Sequence, residues 1–217
     1  MGSFRLPGKV LMKLNGKTVL ECLIEQLKHS KLIDEIIIAT TTNTKDDPIE
    51  NFSNNNKLKI FRGSEIDVLD RFYQCSKKFS LKNIVRLTGD NPLIDPTVID
   101  QVIQIYINDK LDYANNFNVR SFPHGCEVEI FSFDSLEISW QKACTPYERE
   151  HVTPFMYQNK HEFKTNFLKH SIDLSDYSWT VDTTDDFQKV RNIYKKFSKH
   201  PILMNDVISL LNENSMS

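Results

Sequence analysis

Two aspartates, an arginine and a lysine stand where the chain could do phosphate and metal chemistry. Asp90 sits in Thr88-Gly89-Asp90-Asn91-Pro92, after a short apolar stretch, and Asp182 ends Ser178-Trp179-Thr180-Val181-Asp182, ahead of a helical pattern. A carboxylate at a strand end can hold Mg²⁺ against a ligand's phosphates, since magnesium favours hard oxygen ligands and keeps several waters. Each aspartate also has a plainer role. Asp90 is a candidate turn residue bonding its own backbone, and Asp182 a candidate helix cap with Asp185 and Asp186 beside it. The first ten residues add Arg5, a planar fork of donors, and Lys9, a mobile point charge. Gly2, Ser3, Pro7 and Gly8 surround them in a segment that can wrap a phosphate or simply fray as a basic terminus.

Other residues are candidates on their own terms. Arg86 lies inside the apolar run Ile84-Val85-Arg86-Leu87, so it is either paired structurally or aimed at an anion. Glu127 and Glu129 alternate with Val128 and Ile130, which fits sugar-hydroxyl contacts or a solvated strand face equally well. His151, in Arg149-Glu150-His151-Val152-Thr153-Pro154, is a structural or partly exposed histidine first and a general base second. His124, between Pro123 and Gly125, meets a substrate or occupies a loop.

The elements that must position these residues follow from periodicity. Helical patterns cover Lys17–Leu32, Glu65–Phe79 and the stretch from Pro96, where Asp95 is the cap; β-branched runs at 35–40, 57–61 and 83–87 predict strands. Strand, loop and helix repeated three times predict an α/β fold, a mostly parallel Rossmann-like sheet with flanking helices. Ligands in such folds bind beyond the carboxyl ends of the strands, so Thr40-Thr41-Thr42, Arg62-Gly63-Ser64 and Thr88-Gly89-Asp90 are expected to line one cleft. Further on, strands are expected at 112–117, 126–133, 163–168 and 178–181. Helices are expected from the capping box Thr145-Pro146-Tyr147-Glu148 to Tyr157, after Thr183 or Thr184, and near 207–211. No linker is visible, which gives one domain over 1–217 with an arm at about 115–170.

Composition narrows the function. The 217 residues carry a formal net charge of −2, against a general nucleic-acid binder but compatible with a local cationic cleft. No run is long and apolar enough to be read as a membrane span, and the four scattered cysteines point to a reducing, cytoplasmic setting rather than a disulfide framework. There is no G-x-x-x-x-G-K-[ST] and no G-x-G-x-x-G.

The runs Arg5-Leu6-Pro7-Gly8-Lys9, Phe61-Arg62-Gly63-Ser64 with Asp67-Val68-Leu69-Asp70-Arg71, Arg86 to Asp95, Arg149 to Pro154 and Val181-Asp182-Thr183 together give the chain a family likeness. It resembles the cytidylyltransferases of the spore-coat polysaccharide biosynthesis protein F type, relatives of the CMP-sialic acid and CMP-KDO synthetases. The resemblance implies a nucleotide-diphospho-sugar transferase fold. It also implies CTP and an acidic sugar as substrates, Mg²⁺ as cofactor, a CMP-sugar for surface polysaccharide as product, and a homodimer formed through the arm. On that pattern Arg5, Lys9 and Asp90 are catalytic. Gly2, Ser3, Arg5, Lys9, Thr40 and Thr41 bind the nucleotide, Asp90 and Asp182 hold metal, and Arg86, Glu127, Glu129 and His151 face the acceptor. The pattern also has an apolar strand running into a phosphate loop ahead of Leu-Pro-Gly-Lys, with Thr where this chain has Phe4. The expectation is that this central first strand is missing, an internal Met having been taken for the start. Three alternatives stay open: another NTP or acceptor, a metal-dependent glycosyltransferase, and a truncated, inactive nucleotide-binding protein.

Overall fold

A computed structural model describes residues 1–215. The opening segment closes in a 3-10 turn, Lys9–Leu11, and then a short hairpin of β1 (Lys13–Leu14) and β2 (Lys17–Thr18). Asn15 and Gly16 turn this hairpin with φ of 50° and 94°, the left-handed pair that an Asn-Gly dipeptide supplies at low cost. The expected helix over 17–32 is therefore shorter: α1 is Val19–Leu27, started by a capping box of Thr18 and Glu21.

The alternation of strands and helices is as the periodicity predicts. β3 (Ile37–Thr41), α2 (Asp47–Asn55), β4 (Lys59–Gly63), α3 (Val68–Lys78), β5 (Asn83–Arg86) and α4 (Pro96–Asp109) follow in order. Asp95 caps α4 by accepting from the Thr97 N–H at 2.7 Å. Next come β6 (Tyr113–Asn115), β7 (Glu129–Ser132), α5 (Phe133–Lys142), α6 (Pro146–His151), α7 (Pro154–Gln158), β8 (Thr165–Phe167), α8 (Thr184–Tyr194) and α9 (Met204–Ser215). The expected helix from Pro146 to Tyr157 breaks at Val152, at φ 73°; Pro154 removes a backbone donor and disfavours helix in the residue before it.

β3 and β4 pair in parallel, Ile37 opposite Lys59 and Thr41 opposite Gly63. The other sheet has the order β5-β7-β6-β8, in which β6 and β8 are parallel and β7 runs against both neighbours. The result is a mixed α/β sheet with flanking helices. Among the described residues no strand joins β3 to β5. A cavity of about 820 Å³ lies there instead, its walls formed by Ile36–Ala39 on one side and Ile84–Gly89 on the other.

Two apolar clusters hold the sheets and helices. The larger joins α1, α4 and α8 through Leu23, Ile94, Ile99, Val102, Trp179 and Val190, and the smaller packs α3 on α5–α7 through Leu69, Tyr73, Leu136 and Met156. Segment 178–181, expected as a strand, makes a single bridge between His124 and Ser178. It is held by backbone bonds from Trp179 N–H to the His124 carbonyl and from Val181 N–H to the Asp90 carbonyl, both 2.9 Å. Gly125 permits this approach: at φ 102°, an added Cβ would lie 2.9 Å from Trp179 Cδ1 and 3.0 Å from the Thr180 backbone nitrogen. Gly125→Ala is expected to cost about 1–3 kcal/mol of stability, read as a lower denaturation midpoint; an unchanged midpoint would contradict this packing.

Candidate active site

The site forms where the ends of the chain's elements meet. Asp90 follows β5 and Asp182 precedes α8, and the bond from Val181 N–H to the Asp90 carbonyl stitches the two loops together. Between the two carboxylates sits one cation. Lys9 Nζ donates to Asp90 Oδ2 at 2.6 Å and to Asp182 Oδ1 at 2.8 Å, while Arg5 Nη2 lies 2.9 Å from Asp182 Oδ2. Gly8, at φ 73°, turns the chain so that Lys9 enters the 3-10 turn with its side chain only 11% exposed. Asp90, Asp182, Arg5 and Lys9 are thus brought together from three stretches of sequence.

Charge balance follows from the geometry. Burial pulls the Lys9 pKa down, but hydrogen bonds from Lys9 to Asp182 and Asp90, together with their charges, outweigh it and leave the ammonium above its usual value. Burial pushes the Asp182 carboxyl up, and Lys9 and Arg5 overcome that and hold it below the usual 3.8. A depressed carboxylate contributes stability above its unfolded pKa and loses it as pH falls through the folded one, while the raised lysine loses its share only as pH rises through its folded value. The loop is therefore expected to stay tied across the neutral range. NMR titration of the Asp182 carboxyl carbon should give a midpoint below 3.8; a midpoint at or above that value would contradict the pairing.

Thr40 and Thr41, at the end of β3, are turned onto a residue that sequence reasoning missed. Asp46 is 3% exposed and accepts from Thr40 Oγ1 at 2.6 Å, Thr41 Oγ1 at 2.8 Å and the Thr41 N–H at 3.1 Å. Its other oxygen meets the Met1 ammonium at 2.8 Å. Burial would raise its pKa, and these four donors hold it well below the carboxylate range. The two threonine hydroxyl protons are spent on Asp46, and Thr41 Oγ1 also accepts from the Asn43 N–H at 3.2 Å. Arg62, at the end of β4, fixes the same loop through the Thr41 and Asn43 carbonyls, Asp47 and Glu50. Gly2 lies beside Glu65, and Ser3 Oγ accepts from the Leu6 N–H at 3.3 Å, folding the loop on itself.

The remaining candidates lie in two places. Arg86 pairs with Glu129, which is 3% exposed and also accepts from Thr153 Oγ1 and, at 2.9 Å, from Tyr113 Oη. Glu129 thus reaches the cleft only through Arg86. Glu127 accepts from the Gly125 N–H at 2.7 Å and faces His124 Nδ1 at 2.8 Å, on the loop that braces Asp182. His151 is exposed on α6 with its ring 4.5 Å from that of Tyr147, and no hydrogen bond or ion pair joins it to Lys9, Asp90 or Asp182 among the described residues. From its run it is Arg149 that reaches inward, as a fork onto Asp67 with contacts of 2.6–3.0 Å and a bond to the Trp140 carbonyl.

Asp90 and Asp182 fit a hard divalent cation. They converge from two loops on the Lys9 ammonium. Magnesium takes one or two carboxylates and fills its shell with phosphates and water, a donor set that these two residues would supply.

Comparison with known proteins identifies the family. The family profile described as Cytidylyltransferase matches residues 1–205. An uncharacterized protein of Methanocaldococcus jannaschii is 40% identical over 215 residues, covering 98% of this chain and 87% of that protein. The spore coat polysaccharide biosynthesis protein SpsF of Bacillus subtilis is 33% identical over 222 residues, covering 99% and 91%. Among solved structures, a cytidylyltransferase from Leptospira borgpetersenii superposes with a TM-score of 0.94 at 32% identity, covering all of this chain and 92% of that one. With the profile spanning the Arg5–Lys9 loop, both aspartates and the sheets between them, the chain belongs to the cytidylyltransferase family.

Proposed function

We propose that the protein activates an acidic sugar as its CMP derivative, using CTP and releasing pyrophosphate, in the assembly of a surface polysaccharide. The observation that carries this reading is the convergence of Asp90 and Asp182 on a single cation, with Arg5 and Lys9 on the loop alongside. The name of the Bacillus subtilis relative supports the polysaccharide setting. In the reaction a sugar hydroxyl oxygen bonds to the α-phosphorus of CTP, the bond from that phosphorus to the bridging oxygen of pyrophosphate breaks, and the hydroxyl proton is lost.

Arg5 and Lys9 hold the triphosphate and draw charge from the leaving group. The backbone at Gly2 and Ser3 wraps the same phosphates, and Thr40 and Thr41, oriented by Asp46, lie beside the cytidine. Arg86 faces the acceptor, positioned by Glu129; Glu127 and His151 complete that side. Asp90 and Asp182 would hold Mg²⁺, which would supply Lewis-acid stabilisation of the phosphate charge. The protein works in the cytoplasm as a homodimer joined through residues of about 115–170.

Titration of the four nucleoside triphosphates in the presence of Mg²⁺ tests the reading. CTP is expected to bind at least about tenfold more tightly than the others, since a site built to hydrogen-bond one base rejects analogues lacking the same groups. Equal affinities would overturn it.

One feature of the sheet bears on turnover. Among the described residues β3 and β5 face one another with no strand between them, across a cavity of about 820 Å³. Two unpaired edges around an apolar cleft suit one additional extended strand, and we take full activity to require that seat to be filled.

A further inference from the structure

The lysines of this chain are not spread evenly. Lys57 leads into β4 and Lys59 opens it, Lys77 and Lys78 end α3, and Lys82 stands just before β5, all of them exposed. Lys59 Nζ lies 5.4 Å and Lys78 Nζ 5.3 Å from the centre of the Phe79 ring, and Lys78 Nζ lies 5.8 Å from that of Phe61. Lys77 Nζ stands 5.6 Å from the centre of the Tyr73 ring. Half-buried Phe61 and Phe79 thus gather amines from β4 and α3 on one face by cation–π attraction. Carboxylates border this face without neutralising it. Glu35 pairs with Lys59 at 2.7 Å, and Glu137, near Lys77, accepts from Tyr73 Oη at 2.9 Å. Lys57, Lys77, Lys78 and Lys82 have no carboxylate in ion-pair contact among the described residues. In a chain of formal net charge −2, this face is locally positive.

Position and residue type argue for the partner. The lysines lie at the amino ends of β4 and β5, whereas Asp90 follows the carboxyl end of β5, so this face stands at the far end of the strands from the candidate site. Lys77 and Lys78 complement the dipole of α3, a role that takes neither Lys57 nor Lys82. Lysine is depleted from protein–protein interfaces, which favour arginine and aromatic residues. Single-stranded nucleic acid is held on open aromatic faces, and here the rings of Phe61 and Phe79 are half-buried beside the amines. A strongly hydrated ammonium on a flexible stem suits a layer of phosphate headgroups, which attracts clusters of several lysines without stripping their water. No described helix is long and apolar enough to cross a membrane, so such a contact is made at the surface. We propose that this lysine face docks the protein on a bilayer containing anionic phospholipid, with the Asp90–Asp182 end turned away from it. The proposal does not rest on the cytidylyl-transfer reading.

The test sediments the whole protein with vesicles of phosphatidylcholine, either pure or carrying about one-third phosphatidylglycerol. Binding to the anionic vesicles is expected to be about tenfold or more tighter than to the neutral ones, and to weaken as added salt screens the charges. Lys57→Glu combined with Lys78→Glu is expected to lower that binding by about tenfold or more at an unchanged melting temperature. Lys189→Glu combined with Lys196→Glu, at exposed positions on and just after α8, alters the net charge equally and is expected to leave binding intact. Equal binding to both kinds of vesicle, binding to neither, or equal losses in the two double variants would overturn the proposal. Tighter capture by an RNA oligonucleotide than by the anionic vesicles at the same salt would overturn it in favour of nucleic acid. If the charge reversal lowers the melting temperature, Lys57→Gln combined with Lys78→Gln decides the matter: weaker vesicle binding at the parental melting temperature supports docking, and unchanged binding refutes it.

Discussion

Replacing Asp90 by alanine is expected to lower pyrophosphate release by about a thousandfold while the protein stays folded. The magnitude follows from what is removed: one of two carboxylates converging on a cation site, where a preorganised charge is worth about 10²–10³ in rate. The fold should survive because the Asp90 backbone, not its side chain, holds the neighbouring loop. Its carbonyl accepts from Val181 N–H at 2.9 Å. Lys9 also keeps Asp182 as a partner at 2.8 Å, so no buried cation is stranded. The checks are a coupled pyrophosphate assay, a thermal melt and a Mg²⁺ titration in the presence of CTP. Loss of rate with an unchanged melt and weaker Mg²⁺ dependence is the expected result. Turnover near the parent rate would remove Asp90 from the chemistry.

Filling the seat between β3 and β5 is expected to have the second large effect. An N-terminal extension bearing about five alternating Val and Ile residues should pair with both free edges and cover the apolar walls of the 820 Å³ cavity. A net gain of about 2 kcal/mol corresponds to a rise in melting temperature of roughly 4–8 °C for a domain of this size. Turnover should rise by up to about 10²-fold, because the Arg5–Lys9 loop would be anchored and small misplacements of reacting groups cost about that much. An extension of equal length made of Gly and Ser is the control. Equal effects from the apolar and polar extensions would show that the cavity is not a strand seat.

The elements whose boundaries were legible in the sequence carry their own punctuation. Asp95-Pro96 starts α4, Thr145 with Glu148 starts α6, and Thr183 with Asp186 starts α8, each through bonds within four residues. Local interactions of that kind are written in adjacent residue types. The direction of β7 was not legible, because Glu129–Ser132 is oriented by pairing with β5 and β6, more than a dozen residues away in sequence. The Asn15-Gly16 hairpin was signalled by its dipeptide but masked by the helical pattern that starts two residues later.

The candidate site divides in the same way. Asp90 and Asp182 could be singled out from strand-end position, but their meeting at Lys9 spans 81 and 173 residues and depends on the whole fold. Asp46 escaped notice because it lies in a polar loop whose composition hides one buried carboxylate among exposed ones. Glu129 was open to two readings, cleft contact or solvated face, and takes neither: three partners enclose it within the sheet.

The most direct test of the account is a pyrophosphate-release assay that crosses ATP, CTP, GTP and UTP with acidic sugars and their neutral counterparts in the presence of Mg²⁺. The account predicts release from CTP with at least one acidic sugar, little with the other triphosphates, and a CMP-sugar recovered in equal amount. Release from another triphosphate in preference to CTP, or transfer from a UDP-sugar with no pyrophosphate formed, would contradict it.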